Sequence, residues 1–393
     1  MSKYNFLKNI PNNVNKNDYH HKDNVIECAT KIMKKFRKNY EIVTVAEMQS
    51  GKTEVMKRLI YLINNFNDKL RNLGINISKS NVYVVICASS VNLKSQHKIK
   101  LPEIKNNIFH LNDLNSIIKN TYENKDLLTI MSDSSLIIFD ECHCDIECEK
   151  TIDKFRKLLK SYSKNNSSSY YKIGFSATPY EHIVSGIPCV VMKPGPGYYG
   201  IGSMFELSSS SKKKPVLFQA KNLTLKSEIK SLFTEINVYK AYYIFRLPNK
   251  ISQSDEMIIN IVDEFKLQGF KVSTFVYDME YKASINDLLN IEPTIPTIIF
   301  IKDKLRIGEY LNTEHVYLVH DDPNNQYAHT TVQSLLGRCC GYGKKNHETI
   351  IYCDYDKAWE HYKWTIKNYN INSVPKSAKY VTKNKQIKYT CIF

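Results

Sequence analysis

The chain has 393 residues, of which 42% are hydrophobic, 24% charged and 11% aromatic. That composition supports packed cores in about two domains and excludes a disordered or fibrous chain; no apolar run approaches the roughly 18 residues a membrane helix needs. Fifty-five Lys and Arg against 39 Asp and Glu leave a net charge of +16, which favours a polyanionic partner, nucleic acid before an acidic membrane surface.

The opening MSKYNFLKNIPNN holds no apolar leader with a small-residue cleavage site, so an intracellular protein (cytoplasmic, nuclear or in a virion) with no membrane partner is expected. Glu41–Ala46 (EIVTVA) reads as a short buried strand and 52–66 as a helix with apolar residues at 55, 59, 62, 63 and 66. Val82–Ala88 is a second strand, and Leu136–Phe139 a third that ends in Asp140-Glu141-Cys142-His143. A helix follows over 148–162, then a strand over 171–176. The run 194–200 (PGPGYYG) and the serine and lysine cluster at 208–214 form the clearest break. Beyond it the alternation resumes, with strands expected at 242–247, 272–276, 297–301, 315–319 and 349–353. Strands that alternate with helices and are apolar on both faces predict an α/β fold of mostly parallel sheets flanked by helices. The chain reads as two such domains in tandem, divided within 205–235 and drawn at 1–215 and 216–393. Trp359 and Trp364 share a helix with Tyr362 and are expected in the core; the Lys- and Tyr-rich tail 373–393 is expected to wrap back or to be mobile.

Ten cysteines show no disulfide framework. The cluster Cys142-His143-Cys144…Cys148 lacks the second ligand pair a zinc site needs, so reduced thiols are expected, and Cys339-Cys340 is expected to pack. Lys, Asn, Ile and Tyr are over-used as AT-rich codons would produce, which weakens the charge argument. Arg occurs only at 37, 58, 71, 156, 246, 306 and 338, so an arginine inside a motif carries weight.

Ala46-Glu47-Met48-Gln49-Ser50-Gly51-Lys52-Thr53 lies between a strand and a helix and has the parts of a phosphate loop. Gly51 lets the backbone approach a phosphate, the new helix directs free N–H groups at it, Lys52 reaches the β and γ phosphates, and the Thr53 hydroxyl suits Mg²⁺. Position 46 holds Ala where the general pattern has Gly. Asp140-Glu141 at the end of an apolar strand supplies one carboxylate for the metal and one to polarise water. Both would stand at the carboxyl edge of the sheet, beside the phosphate loop.

These residues resemble the motifs of superfamily 2 helicases. Asp140-Glu-Cys-His143 is similar to the DExH motif II in a DECH form, 46–53 to motif I, and Ser176-Ala-Thr178-Pro179 to motif III. Cys87-Ala-Ser-Ser…Leu93-Lys-Ser-Gln96 is a loose motif Ia, Lys304-Leu-Arg306-Ile-Gly308 stands where motif V is expected, and Gln333-Ser-Leu-Leu-Gly337-Arg338 resembles motif VI. Their order spans about 45–345 and resembles the compact helicases of phages and large DNA viruses. The resemblance implies two tandem RecA-like domains, the cofactors ATP and Mg²⁺, and an ATP-dependent helicase or translocase on DNA or RNA. Carried over position by position, Lys52 and Thr53 bind phosphates and magnesium, Asp140 holds the metal and Glu141 is the base. His143, Ser176 and Thr178 link nucleotide state to the grip on nucleic acid, Arg338 is the arginine finger with Gln333 beside it, and Arg306-Gly308 bridges toward nucleic acid or the γ-phosphate. Arg338 also stands on chemistry alone, because a planar guanidinium from a second domain suits the charge spread over a transferring phosphoryl group.

The departures are specific. Gly341 stands where a second motif VI arginine is expected, leaving Arg338 alone or helped by Lys344, and Gln49 replaces a glycine of motif I. No adenine-reading motif precedes the loop, where His20-His21-Lys22 stand, so poor base selectivity is expected. Ser89-Ser90 and Ser176–Thr178 are candidates for sugar-phosphate contact. Tyr198-Tyr199 reads as a base-stacking pair or as an ordinary surface loop; Lys212–Lys214 reads as solvated charge. A nucleic-acid clamp or remodelling subunit with weak or absent hydrolysis is the alternative function, a packaging or partner-remodelling ATPase a third. Accessory activities would come from protein partners.

Overall fold

A computed structural model describes residues 5–8, 22–87, 91–142, 149–163, 169–209, 216–281, 283–305, 310–323, 327–343 and 348–378. In the first lobe β1 (Glu41–Ala46), β2 (Val82–Ile86), β3 (Ile108–His110), β4 (Asp133–Asp140), β5 (Ser169–Ser176) and β6 (Cys189–Met192) form one sheet in the order β3-β2-β4-β5-β1-β6. Every pairing in it is parallel. The short β7 (Tyr198–Tyr199) follows. In the second lobe β8 (Leu217–Gln219), β9 (Tyr242–Arg246), β10 (Ser273–Tyr277), β11 (Thr297–Ile301) and β12 (Val316–His320) come before β13 (Gly341–Tyr342) and β14 (Ile350–Cys353). All but β13 join a second parallel sheet, in the order β10-β11-β9-β12-β14-β8. Two parallel sheets flanked by helices make this the tandem RecA-like fold.

The strands are legible as unbroken apolar runs because helices cover both faces: every residue of β2 and of β9 is buried. The helix after β1 runs Lys52–Arg71, and its expected end at 66 falls on a real discontinuity, since Phe66 leaves helical geometry at φ −130° before the helix resumes. No helix among the described residues is long and apolar enough to cross a membrane.

The two cores exchange side chains. Trp364, on the helix Tyr355–Ile366 that follows β14, is buried in the first lobe's core together with Ala328. Met48 and Ala177, from loops of the first sheet, and Tyr199 lie in the second lobe's core. The Tyr180 hydroxyl and His361 Nδ1 share a hydrogen bond of 2.7 Å, and burial pushes the pKa of that imidazole down to about 3. Trp364 therefore bridges lobes rather than filling its own. The expectation of a core role fails for Trp359, which is 38% exposed and packs with tilted rings on Phe205 and Tyr362. Of the tail, Ala378 packs on the first lobe; residues 379–393 lie outside the described residues.

Candidate active site

The sheet order sets β4 beside β5 and β5 beside β1, so the three loops bearing the first-lobe motifs emerge together at one edge. After the buried Ala46 the chain turns: the Ser50 amide and hydroxyl both donate to the Glu47 carbonyl, at 3.2 and 2.7 Å. Gln49 sits at φ 58° and Gly51 at φ 106°. The glycine that the helicase pattern places at position 49 thus has a physical reason, and Gln49 adopts the same left-handed backbone at a cost of about 1–2 kcal/mol. The helix begins at Lys52 with no side-chain cap, which leaves its first N–H groups available to an anion.

Lys52 Nζ lies 2.5 Å from Glu141 Oε1, and both side chains are nearly buried. Burial alone would lower the ammonium's pKa, but the carboxylates of Glu141 and Asp140 outweigh it and hold the value above the ordinary lysine range. Glu141 itself has φ 53°, a conformation non-glycine residues rarely adopt. Asp140 Oδ2 pairs with His97 Nε2 at 3.0 Å, and His97 Nδ1 is 2.9 Å from the Leu93 carbonyl. Both imidazole nitrogens face oxygen acceptors, an arrangement that favours the charged ring. Burial opposes that charge and the Asp140 pairing overrides it, leaving His97 above its usual value. Asp140 is held low by His97 and Lys52 against burial that would raise it.

Between the lobes lies a cavity of about 290 Å³. Its first-lobe wall comprises Gly51, Lys52, Thr53, Asp140 and Glu141, with Met48, Gln49 and the side chains Gln96, His97 and Lys100 around it. Arg338 and Tyr342 of the second lobe form the facing wall. The guanidinium of Arg338 is fully buried and donates through Nε and Nη2 to the Gln333 carbonyl, at 3.3 and 2.8 Å. Gln333 Nε2 in turn donates to Thr178 Oγ1 at 3.1 Å, and the Thr178 amide to Ser176 Oγ at 3.0 Å. A hydrogen-bonded path therefore runs from Arg338 across the lobes to the end of β5.

The structure brings together Met48, Gln49, Gly51, Lys52, Thr53, Asp140, Glu141 and Arg338 around one space, with Gln333, Thr178 and Ser176 one step behind it. Ala46, Glu47 and Ser50 support the loop without lining the cavity; burial pushes the Glu47 carboxyl up to about 7. Ser89, Ser90, His143, Arg306, Gly308, Lys344 and Lys212–Lys214 lie outside the described residues, as do His20 and His21. Cys142 is buried against Gly174 and is not in a disulfide; Cys144 and Cys148 are not described. Tyr198-Tyr199 is not a loop: it is β7, paired antiparallel with β13. His97 and Tyr342 were not singled out from sequence, although each directly follows a recognised segment, His97 after Gln96 and Tyr342 soon after Arg338. As for a divalent cation, Asp140 Oδ1 is buried with no hydrogen-bond partner among the described residues, and the Thr53 hydroxyl belongs to the same cavity wall. Hard oxygen donors of this kind fit Mg²⁺.

The two parallel sheets have the tandem RecA-like arrangement, and solved helicases share this fold. Helicase MrfA, solved bound to DNA, is 15% identical with a TM-score of 0.50 over 91% of this chain and 50% of its own. The Mycobacterium smegmatis helicase Lhr, solved with single-stranded DNA and AMP-PNP, is 11% identical with a TM-score of 0.44 over 91% of this chain and 51% of its own. The chain thus spans about half the length of either helicase, and at 15% identity the likeness to MrfA speaks to the fold alone. No protein-family model matches the chain. It is 61% identical over 391 residues, the full length of both, to the protein of Acanthamoeba polyphaga mimivirus named "Uncharacterized protein L594", and it belongs to that protein's family.

Proposed function

We propose that the protein is an ATP-dependent helicase or translocase, hydrolysing nucleoside triphosphate to move on or unwind DNA or RNA. The observation that carries this reading is the single cavity with Lys52 on one wall and Arg338 on the other. Lys52 exchanges Glu141 for a phosphate oxygen when nucleotide enters, and that exchange frees Glu141 to orient and deprotonate the attacking water. Thr53 and Asp140 would hold Mg²⁺, which when bound neutralises phosphate charge. Arg338 stabilises the transferring phosphoryl group from the opposite lobe, with Gln333 beside it. The loop 46–51, and Gly308 from the second lobe, complete the nucleotide contacts. Ser176 and Thr178 relay lobe closure through Gln333, while Ser89, His143 and Arg306 serve the nucleic acid and its coupling. The proposed moving units are 1–215 and 216–393; helix Ile201–Ser209, near the end of the first, packs its Met204 and Phe205 in the second lobe's core.

One observation favours the second reading, a clamp with weak hydrolysis. Gly341, where a second arginine is expected, is strand backbone at φ 138°, and among the described residues Arg338 is the one guanidinium on the cavity wall. Hydrolysis of ATP, GTP and CTP, measured with and without single- and double-stranded DNA and RNA at one salt concentration, separates the readings. Stimulation by single strands is the expected result, and little discrimination among bases. Tight nucleic-acid binding without turnover would establish the clamp instead.

A further inference from the structure

We propose that Tyr198 and Tyr342 form a clasp that positions the phosphate loop and ties it to the segment that carries Arg338; this rests on the nucleotide-site reading above. The loop needs outside support, because Gln49 is held at φ 58° where the helicase pattern has glycine. That support comes from a two-stranded ribbon. β7 pairs antiparallel with β13, Tyr199 opposite Gly341 and Tyr198 opposite Tyr342, and the two rings of the second pair meet edge to face at 5.3 Å. The Tyr198 hydroxyl donates to the Met48 carbonyl. The Tyr342 hydroxyl donates to the Ser50 carbonyl at 3.3 Å and accepts from the Gly195 amide at 2.7 Å.

A trans peptide is planar, so a carbonyl held in one direction points the following N–H the opposite way. Fixing the carbonyls of Met48 and Ser50 therefore fixes the N–H groups of Gln49 and Gly51, and both of those residues line the cavity. The clasp aims the donors a phosphate would meet, without touching the nucleotide through its hydroxyls. It also accounts for position 341. The strand that presents Tyr342 requires φ 138° there, a backbone that a side chain rarely tolerates. The ribbon's glycine occupies the place of the second arginine, and Tyr342 follows it into the cavity wall beside Arg338. Movement of the loop on nucleotide entry is thereby felt three residues from Arg338, at the start of β13.

The test compares Tyr198→Phe, Tyr342→Phe and the double variant with the intact protein in equilibrium binding of ATP and of inorganic tripolyphosphate, with thermal denaturation to verify the fold. Each phenylalanine keeps its ring packing; Tyr198→Phe removes one hydrogen bond and Tyr342→Phe two, of which one, to the Ser50 carbonyl, holds the phosphate loop. The expected result is a loss of about two- to tenfold per variant, the range spanned by one such bond. The loss is the same for ATP and for tripolyphosphate, because the clasp acts on the phosphate donors only, and Gly341→Ala reproduces it. Variants that bind both ligands as tightly as the intact protein would overturn the clasp. So would a fall in denaturation temperature with unequal effects on the two ligands, which marks a merely structural role. If the intact protein binds neither ligand, the nucleotide-site reading fails first and the clasp goes with it.

Discussion

Arg246→Ala is expected to destabilise the second lobe by about 3 kcal/mol, the lower end of the range for breaking a buried ion pair. Arg246 ends β9 and is buried. Its Nε donates to Asp321 Oδ1 at 2.7 Å, Nη1 to the Lys304 carbonyl at 3.0 Å and Nη2 to the Leu305 carbonyl at 3.3 Å. The two carbonyls belong to a turn in which Asp303 and Leu305 have φ 55° and 56°, at the start of the segment expected to be motif V. Asp321 also receives Ser334 Oγ at 3.0 Å and the Leu335 amide at 2.9 Å, which fixes the start of the short helix that carries Arg338. Because those donors remain, the carboxylate is not stranded, which places the cost at the low end; the lost carbonyl bonds keep it from being small. For a lobe of this size about 3 kcal/mol corresponds to roughly 6–12 °C in denaturation temperature. Urea denaturation followed by tryptophan fluorescence and by circular dichroism gives the free energy directly. Arg246→Lys is the control: one ammonium cannot serve three acceptors arranged for a fork, so less than half the loss should be recovered. An alanine variant within 1 kcal/mol of the intact protein, or a lysine variant that restores full stability, would refute the reasoning.

Three further outcomes are expected. Glu47 is raised by burial from the ordinary carboxylate range to about 7, so in the folded protein it holds its proton where the unfolded chain has lost it. Its contribution is present at low pH and is lost as pH rises from about 4.5 through about 7, so the stability of Glu47→Gln relative to the intact protein should grow between pH 5 and 8 in thermal melts. His97→Ala should weaken ATP binding about tenfold with magnesium and leave magnesium-free binding unchanged, since His97 orients the carboxylate proposed to hold the metal; equal losses under both conditions would contradict this. In a double-mutant cycle on hydrolysis, Thr178→Val and Gln333→Ala should couple by about 0.5–1.5 kcal/mol, the worth of their bond across the lobes, whereas additive effects would place no coupling in it.

The placement of the first-lobe candidates was legible because it is local. A strand, a turn and a helix start put Lys52 and Thr53 in sequence, and an apolar run delivers Asp140 and Glu141 at its end. The sheets were legible for a related reason, since strands covered on both faces read as continuous apolar segments. What escaped was pairing at a distance. β7 and β13 are two residues each and exist only because they face one another; in sequence Tyr198-Tyr199 is a pair of tyrosines in a Gly/Pro-rich loop. His97 earns its place through Asp140, more than forty positions away. Arg246 was visible as one of few arginines, but its partner Asp321 sits at the end of a neighbouring strand that only the sheet order brings alongside. Trp364 looked like ordinary core, and nothing in its helix signals that the core belongs to the other lobe.

The central claim is that one triphosphate is held by Lys52 from one lobe and completed by Arg338 from the other. Its most direct test is a side-by-side measurement of ATP binding and single-turnover hydrolysis in Lys52→Ala and Arg338→Ala. The account predicts that the lysine variant loses binding, while the arginine variant binds ATP within a few-fold of normal and hydrolyses it at least about a thousandfold more slowly. Hydrolysis at the normal rate by either variant would contradict it.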